Sequence, residues 1–385
     1  MVNNKEVEIS DLAYGGMGIA KLDGKVYFIE GALPGEKVRF VKKIEKKRFG
    51  TGKVTEVLVA SDYRMKSPCP YYSECGGCQY QHLDYQKEVF FKTAQVKEML
   101  RRIGGLGEYI FAGMRPSSLD YGYRWTITLH KANAGYGYFA QDNKTIINIE
   151  HCNLAADAIN SAISTLPASG AKRDITLKSD KANNVWISGH SGHRFFKDDF
   201  LGTELMFSPL AFSQANRQVA AEMVDELRTL MQKEKTDVLF DLYCGVGFFG
   251  ILMRDLFESV IGIDEKGVAI DCAKASKKNL GLDNIKFYCG EADKDFSNHY
   301  KHLRGETNTI LLDPPRSGIS KKITKWLTEI TNINSLYYVS CDPAILARDA
   351  KALTQDKIWR LDKVSCFDMF PRTKHIESIA VFKRK

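Results

Sequence analysis

Long apolar runs are missing from this sequence of 385 residues. The longest nearly uncharged stretch, Leu242 to Met253, is interrupted by three glycines and falls well short of the ~20 residues a spanning helix needs. No membrane segment is expected. The amino-terminal MVNNKEVEISD carries acids and no apolar core, so no secretory or transit signal is read there and cytoplasm is the expected compartment. Internal repeats and low-complexity tracts are also lacking, and with 44% hydrophobic and 26% charged residues the composition excludes collagenous or largely disordered architectures. The nine cysteines of a chain read as cytoplasmic do not form a disulfide framework. They need another explanation.

The length predicts two or three domains, because one core rarely grows beyond about 250–300 residues. Fifty-five basic against 47 acidic residues leave a net charge of +8, a modest excess that points to a polyanionic partner. From Val7 to Val59 short β-branched stretches alternate with the turn dipeptides Gly15-Gly16, Asp23-Gly24 and Pro34-Gly35, the pattern of a small β-barrel. Between Lys37 and Lys53 lie Lys37, Arg39, Lys42, Lys43, Lys46, Lys47, Arg48 and Lys53 against the single acid Glu45. Such a run is either a solvated hairpin tip or a track for a phosphate backbone.

Residues 61–83 show neither helical nor strand period. Asp84 to Ile103 reads as an amphipathic helix ended by Gly104-Gly105, and the stretch to about Leu210 is strand-rich. In the final third, DVLFDLY, SVIGID, IKFYCG, TILLDPP, LYYVSCD, KVSCF and HIESIAVF alternate for the most part with helix-length segments. This rhythm predicts an α/β fold, a parallel-rich sheet with helices on both faces, whose ligands sit at the carboxyl ends of the strands.

Four motifs fall on that edge. Asp241-Leu-Tyr243-Cys-Gly245-Val-Gly247 is a glycine turn between strand and helix that lacks the third spaced glycine of a dinucleotide fingerprint, which favours a smaller adenosyl ligand. Asp264 ends the next strand, where a carboxylate can take two ribose hydroxyls. Asp313-Pro-Pro-Arg316 makes a rigid, acceptor-rich loop; Asp-Pro-Pro before an aromatic residue suits methylation of exocyclic amines, but Arg316 stands in the aromatic position. Cys341, at a strand end before Pro343, is a candidate nucleophile whose pKa a helix start and Arg316 or Arg348 would lower. Glu377 opens the last strand, where burial would suit it to proton transfer. Cys244, Cys272, Cys289 and Cys366 read as small buried hydrophobes.

The cysteine cluster is the most specific feature. Cys69, Cys75 and Cys78 lie within ten residues, and Cys152 is the remaining cysteine before the sheet. Zinc usually draws paired CxxC knuckles, whereas three clustered cysteines and a distant fourth favour iron–sulfur ligation. His82 and His151 flank the cluster as bystanders.

Taken together, the residues resemble the S-adenosylmethionine-dependent RNA 5-methyluridine methyltransferases, in particular the branch that modifies 23S ribosomal RNA and carries a [4Fe-4S] cluster. The resemblance covers essentially the whole chain, through CPYYSECGGCQYQH, AFSQAN, DLYCGVG, DPPRSG, YVSCDP and HIES in order. It implies an OB-like TRAM barrel over residues 1–60, a β-rich central domain with the cluster over 61–210, and a Rossmann-like catalytic domain over 211–385. It further implies that Gln214, Tyr243, Gly245, Asp264, Glu291 and Asp313 serve the cofactor, that Cys341 is the nucleophile and that Glu377 is the base. Asp264 stands where many members have Glu, Phe248 where Asn or Thr is frequent, and Trp125 follows Arg124 where Asn is frequent. The implied partner is RNA, 23S rRNA or else tRNA, with no obligate protein partner, and the cluster is expected to be structural or RNA-orienting. RNA 5-methylcytosine enzymes place a second cysteine after proline in the fourth-strand loop; Pro315-Arg316 there favours uridine. Two other readings remain, methylation of an exocyclic amine and a non-enzymatic RNA-binding iron–sulfur module.

Overall fold

A computed structural model describes residues 5–132, 135–166, 174–188, 195–234, 236–300 and 307–385. The chain opens with six strands, Lys5–Glu8 (β1), Asp11–Leu12 (β2), Met17–Leu22 (β3), Lys25–Glu30 (β4), Lys37–Glu45 (β5) and Phe49–Val59 (β6). They form one sheet in the order β1-β5-β6-β4-β3-β2 around a small core of Val7, Ile29, Val38 and Phe40. Asp23 and Gly24 both have positive φ, as a two-residue hairpin between β3 and β4 demands. Much of the basic stripe is engaged locally: Arg39 pairs with Glu6 and Glu56, Lys43 and Lys53 with Glu30, and Lys42 with Glu45. Lys46, Lys47 and Arg48 remain exposed at the tip.

Helix Tyr85–Arg102 (α1) begins where Asp84 accepts the Lys87 N–H at 3.1 Å, an N-cap that satisfies an otherwise orphaned donor. Val96 and Leu100 on its inner face are fully buried. The same face also buries Glu88 and Lys92, whose Nζ lies 2.7 Å from Glu88 and 2.8 Å from Asp368. A fully enclosed ammonium is tolerated because two carboxylates face it.

The central region holds Thr126–Ala132 (β8), Gly135–Phe139 (β9), Ile146–Asn148 (β10), Asp157–Ser164 (α2), Ile175–Ser179 (β11) and Val185–Ile187 (β12). Its sheet runs β10-β9-β8-β11-β12, with β7 (Ile110–Arg115) preceding it in the chain. A hairpin, Phe196–Phe200 (β13) and Thr203–Phe207 (β14), leads into Arg217–Met231 (α3).

The remaining elements are Val238–Leu242 (β15), Phe248–Met253 (α4), Ser259–Asp264 (β16), Gly267–Leu280 (α5), Ile285–Cys289 (β17), Ala292–Tyr300 (α6), Asn308–Leu312 (β18), Lys321–Glu329 (α7), Ile333–Ser340 (β19), Pro343–Thr354 (α8), Trp359–Phe367 (β20) and Glu377–Arg384 (β21). They build an eight-stranded sheet, β17-β16-β15-β18-β19-β21-β20-β7. Strands β15 and β18 are buried at every position, as strands covered on both faces must be. Leu239 joins the core on one face, while Val238, Phe240 and Leu242 join the core on the other.

Two features of this order set the chemistry. The chain leaves β15 toward β16 and returns to β18 on its other side, so the strand order switches at the carboxyl end of β15, where crevices form. Strand β21 runs antiparallel to β19, which brings its first residue to the edge where the parallel strands end. Among the described residues no helix is long and apolar enough to cross a membrane.

Candidate active site and cysteine cavity

At the end of β15 the turn adopts φ 64° at Tyr243, 54° at Gly245 and 76° at Gly247, left-handed backbone that glycine tolerates at little cost. A Cβ on Gly247 would meet Phe287 Cζ at 2.6 Å, whereas Gly245 faces open space. The Gly245 N–H donates to Asp264 Oδ2 at 2.9 Å and the Lys266 N–H to Oδ1 at 2.7 Å. Both Asp264 oxygens are thereby fixed, each with a lone pair left for a hydroxyl donor. Burial and Asp293, its hydrogen-bond partner, push the Tyr243 phenol up.

Asp313 stands beside this turn, its N–H donating to Leu242 O at 3.2 Å. Burial and the Asp264 charge push its carboxyl up to about 7. Gln214 is half-buried on the loop before α3. Its neighbour Ala215 accepts the Trp125 N–H at 2.9 Å, and Lys178 Nζ holds the carbonyls of Ser208 and Ala211 on the same loop. Glu291, beyond the end of β17, is exposed and pairs with Lys294 at 2.7 Å.

Ser340 and Ser378 form the last pair of the β19–β21 ladder, so Cys341 and Glu377, one residue further out on each side, face each other across its open end. The sequence predicts a low thiol pKa at Cys341. The structure reverses this: burial first, then the Glu377 and Asp313 charges, push the thiol up to about 11, with Arg316 pulling the other way. Asp342 already accepts the Ala344 and Ile345 N–H groups at the start of α8. Arg348 is held by Ser317 O and Asp349. Neither the helix start nor Arg348 therefore offsets the carboxylates. Glu377 is itself raised well above the ordinary carboxyl range by burial and by Asp313.

A measurable consequence follows from the sign. Only thiolate alkylates, and the raised thiol titrates near its pKa of about 11. In the cofactor-free protein each unit between about pH 7 and pH 10 should therefore speed iodoacetamide modification of Cys341 roughly tenfold. Peptide mass spectrometry reads the rate. A profile that levels off near neutrality contradicts the raised thiol.

Three further residues of this neighbourhood are given no role by the sequence. Asp241 is fully buried, accepts the Gly250 N–H at 2.9 Å, and is pushed up to about 8 by desolvation. Asp349 ties the Asp313–Arg316 loop to α8, accepting the Ile319 N–H at 2.9 Å and the Tyr338 hydroxyl at 2.6 Å. Tyr14, from the amino-terminal barrel, packs against the core of the large sheet; burial and the charges of Asp342 and Cys341 push its phenol up. Cys244, Cys272 and Cys366 are buried as predicted, but Cys289 is exposed because β17 is the sheet's edge strand.

Cys69, Cys75, Cys78 and Cys152 line one cavity of about 110 Å³ together with Tyr71, Arg124 and Tyr138. Glycine at 76 lets the turn lie against the edge of β9, since a Cβ there would meet Ala140 O at 3.0 Å. Burial pushes the Cys69, Cys75 and Cys78 thiols up. Arg124 Nε is buried with no hydrogen-bond partner among the described residues. No three potential ligands among those residues converge on a single ion position, so the expected metal centre rests on the shared cavity and the soft donor set alone.

An open α/β sheet with this turn and these acids at its carboxyl edge defines an S-adenosylmethionine-dependent methyltransferase. Residues 205–385 match the family described as tRNA (Uracil-5-)-methyltransferase, and residues 3–55 match the TRAM domain. Among relatives, an uncharacterized RNA methyltransferase of Aquifex aeolicus is 31% identical, with 99% of this chain and 98% of that protein covered. The 23S rRNA (uracil(1939)-C(5))-methyltransferase RlmD of Mannheimia succiniciproducens is 30% identical, covering 99% and 96%. The Pyrococcus abyssi tRNA (uracil-54, C5)-methyltransferase, solved with S-adenosyl-L-homocysteine, superposes with a TM-score of 0.75 at 23% identity over 98% of this chain and all of that one. The chain belongs to the RNA uracil-5-methyltransferase family: it is an S-adenosylmethionine-dependent enzyme with a TRAM domain, and its substrate is RNA.

Proposed function

We propose that the protein methylates C5 of a uridine in 23S ribosomal RNA through a covalent bond between Cys341 and C6 of the base. Residues 1–60 and 61–210 would hold the RNA, and residues 211–385 would carry the reaction. The observation that supports this most is that Cys341 and Glu377 are the residues next beyond the Ser340–Ser378 pair that ends the β19–β21 ladder, with Asp313 close enough to act on both.

Uracil C5 is a weak nucleophile, and addition at C6 changes that. Cys341 Sγ bonds to C6 and the displaced electron pair makes C5 enolate-like. When bound near Tyr243, Gly245, Asp264 and Asp313, with Gln214 and Glu291 at the margin, S-adenosylmethionine supplies a sulfonium methyl for C5 and a positive charge that favours thiolate. Glu377 takes the C5 proton, and the returning electron pair expels Cys341 Sγ. A stacked uracil hides C6, so the base is flipped or lies in a loop. The exposed Lys46, Lys47 and Arg48 are suited to the phosphate backbone that fixes register. The names of the relatives favour 23S rRNA, at the position corresponding to uracil 1939. Mass-spectrometric mapping of 5-methyluridine in rRNA and tRNA from a deletion strain tests this: loss at that rRNA site supports it, and loss confined to tRNA contradicts it.

A [4Fe-4S] cluster on Cys69, Cys75, Cys78 and Cys152 completes the proposal. Four cysteines that share one cavity match in number and softness the four thiolates such a cluster would take. The buried Arg124 guanidinium suits the anionic charge of such a group. Methyl transfer moves no net electrons, so its proposed role is structural. Anaerobically purified protein should carry about four irons per chain, and Cys75→Ala should lose them together with the visible absorbance. Stoichiometric zinc instead would contradict this assignment.

A further inference from the structure

Gln79 follows the last clustered cysteine and is tied to the turn that delivers Glu377. Its N–H and that of Tyr80 donate to Arg372 O at 2.9 and 3.0 Å. Its Oε1 accepts the Lys374 N–H at 2.9 Å, and its Nε2 donates to Gly76 O, inside the Cys75–Cys78 turn, at 2.9 Å. One side chain thus joins the cysteine turn to a residue three places before Glu377.

The receiving turn, between β20 and β21, is fixed largely by side-chain contacts from other elements. Arg372 sits at φ 67°, a conformation that a non-glycine residue holds only when its surroundings enforce it. Its N–H donates to Glu88 Oε1 at 2.8 Å, and its guanidinium to Leu83 O at 2.7 Å and to Asp120. The Tyr123 hydroxyl donates to Pro371 O at 2.9 Å, and Lys92 Nζ to Asp368 Oδ1 at 2.8 Å. Of these contacts, those of Gln79, Tyr80 and Leu83 come from the segment that carries the clustered cysteines, and Gln79 alone makes one through its side chain.

Given Glu377 as the base, we infer that Gln79 is a positioning residue for removal of the C5 proton: through it the cysteine segment sets where β21 begins. A proton-transfer group must lie within hydrogen-bond reach of its target. Cys341 is carried by β19, which Gln79 does not hold, so addition and methylation do not depend on this contact. Loss of Gln79 therefore slows the last step and leaves the earlier ones.

The test compares Gln79→Ala, Gln79→Met, Gln79→Glu and Glu377→Gln in the full chain, each first shown to unfold cooperatively. Gln79→Ala, or the volume-preserving Gln79→Met should alanine not fold, is expected to lower kcat by about ten- to a hundredfold. KM for RNA should fall together with kcat, because a denaturation-resistant protein–RNA adduct accumulates ahead of the slowed step, as in Glu377→Gln. Gln79→Glu keeps the acceptor for the Lys374 N–H but loses the donor to Gly76 O, and should bring the adduct below the level of Gln79→Ala. Unslowed turnover, or slowing without adduct while Glu377→Gln accumulates it, overturns the inference alone. If Glu377→Gln forms no adduct, the assignment of the base fails first and the inference falls with it.

Discussion

Cys341→Ala should reduce methyl transfer from labelled cofactor to RNA by at least about a thousandfold while leaving cofactor binding intact. The size of the effect follows from the role: without addition at C6, nothing raises electron density at C5, and no other thiol lies beside Cys341, since the exposed Cys289 ends β17, four strands away. Cys244 is buried behind the glycine turn, and Cys366 lies within β20. Methylation of an exocyclic amine needs no thiol, so the same variant would keep its activity under that reading. Retention of activity in Cys341→Ala would therefore favour the Asp313–Arg316 loop as the seat of a different reaction.

Glu377→Gln should lower turnover by about a hundredfold or more, and should do so in a distinctive way. The amide cannot take the C5 proton, so the chain stops after the carbon–sulfur bond has formed and before it breaks. Methylated RNA should remain attached to the protein under denaturing conditions. Where Glu377 is ionised its charge is the largest electrostatic contribution raising the Cys341 thiol; the neutral amide makes no such contribution, so adduct formation should be no slower than in the unsubstituted enzyme. A variant that loses turnover without accumulating adduct would place Glu377 at an earlier step.

The strands of the large sheet were legible because buried parallel strands are continuous apolar runs, and DVLFDLY or TILLDPP can be little else. Strand β7 was not, since its one partner in the sheet is β20, some 250 residues later in the chain. The inner face of α1 was only half legible: Val96 and Leu100 follow the helical period, but Glu88 and Lys92 read as a solvated pair until Asp368 closes over them. At the site, motif position put Cys341 at the end of one strand and Glu377 at the start of another; that both come to one edge depends on the antiparallel run of β21, which the motifs do not reveal. The direction of the thiol shift was not legible. It depends on carboxylates from β21 and the loop after β18, which topology alone brings to β19.

The covalent bond is the claim on which the rest depends, and it can be read directly. The trapped Glu377→Gln conjugate is digested with protease and nuclease, and the surviving nucleotide–peptide species is sequenced by mass spectrometry. The account predicts a methylated uridine on the peptide containing Cys341. A nucleotide on another residue, or fully methylated RNA released with no conjugate at any time, would contradict it.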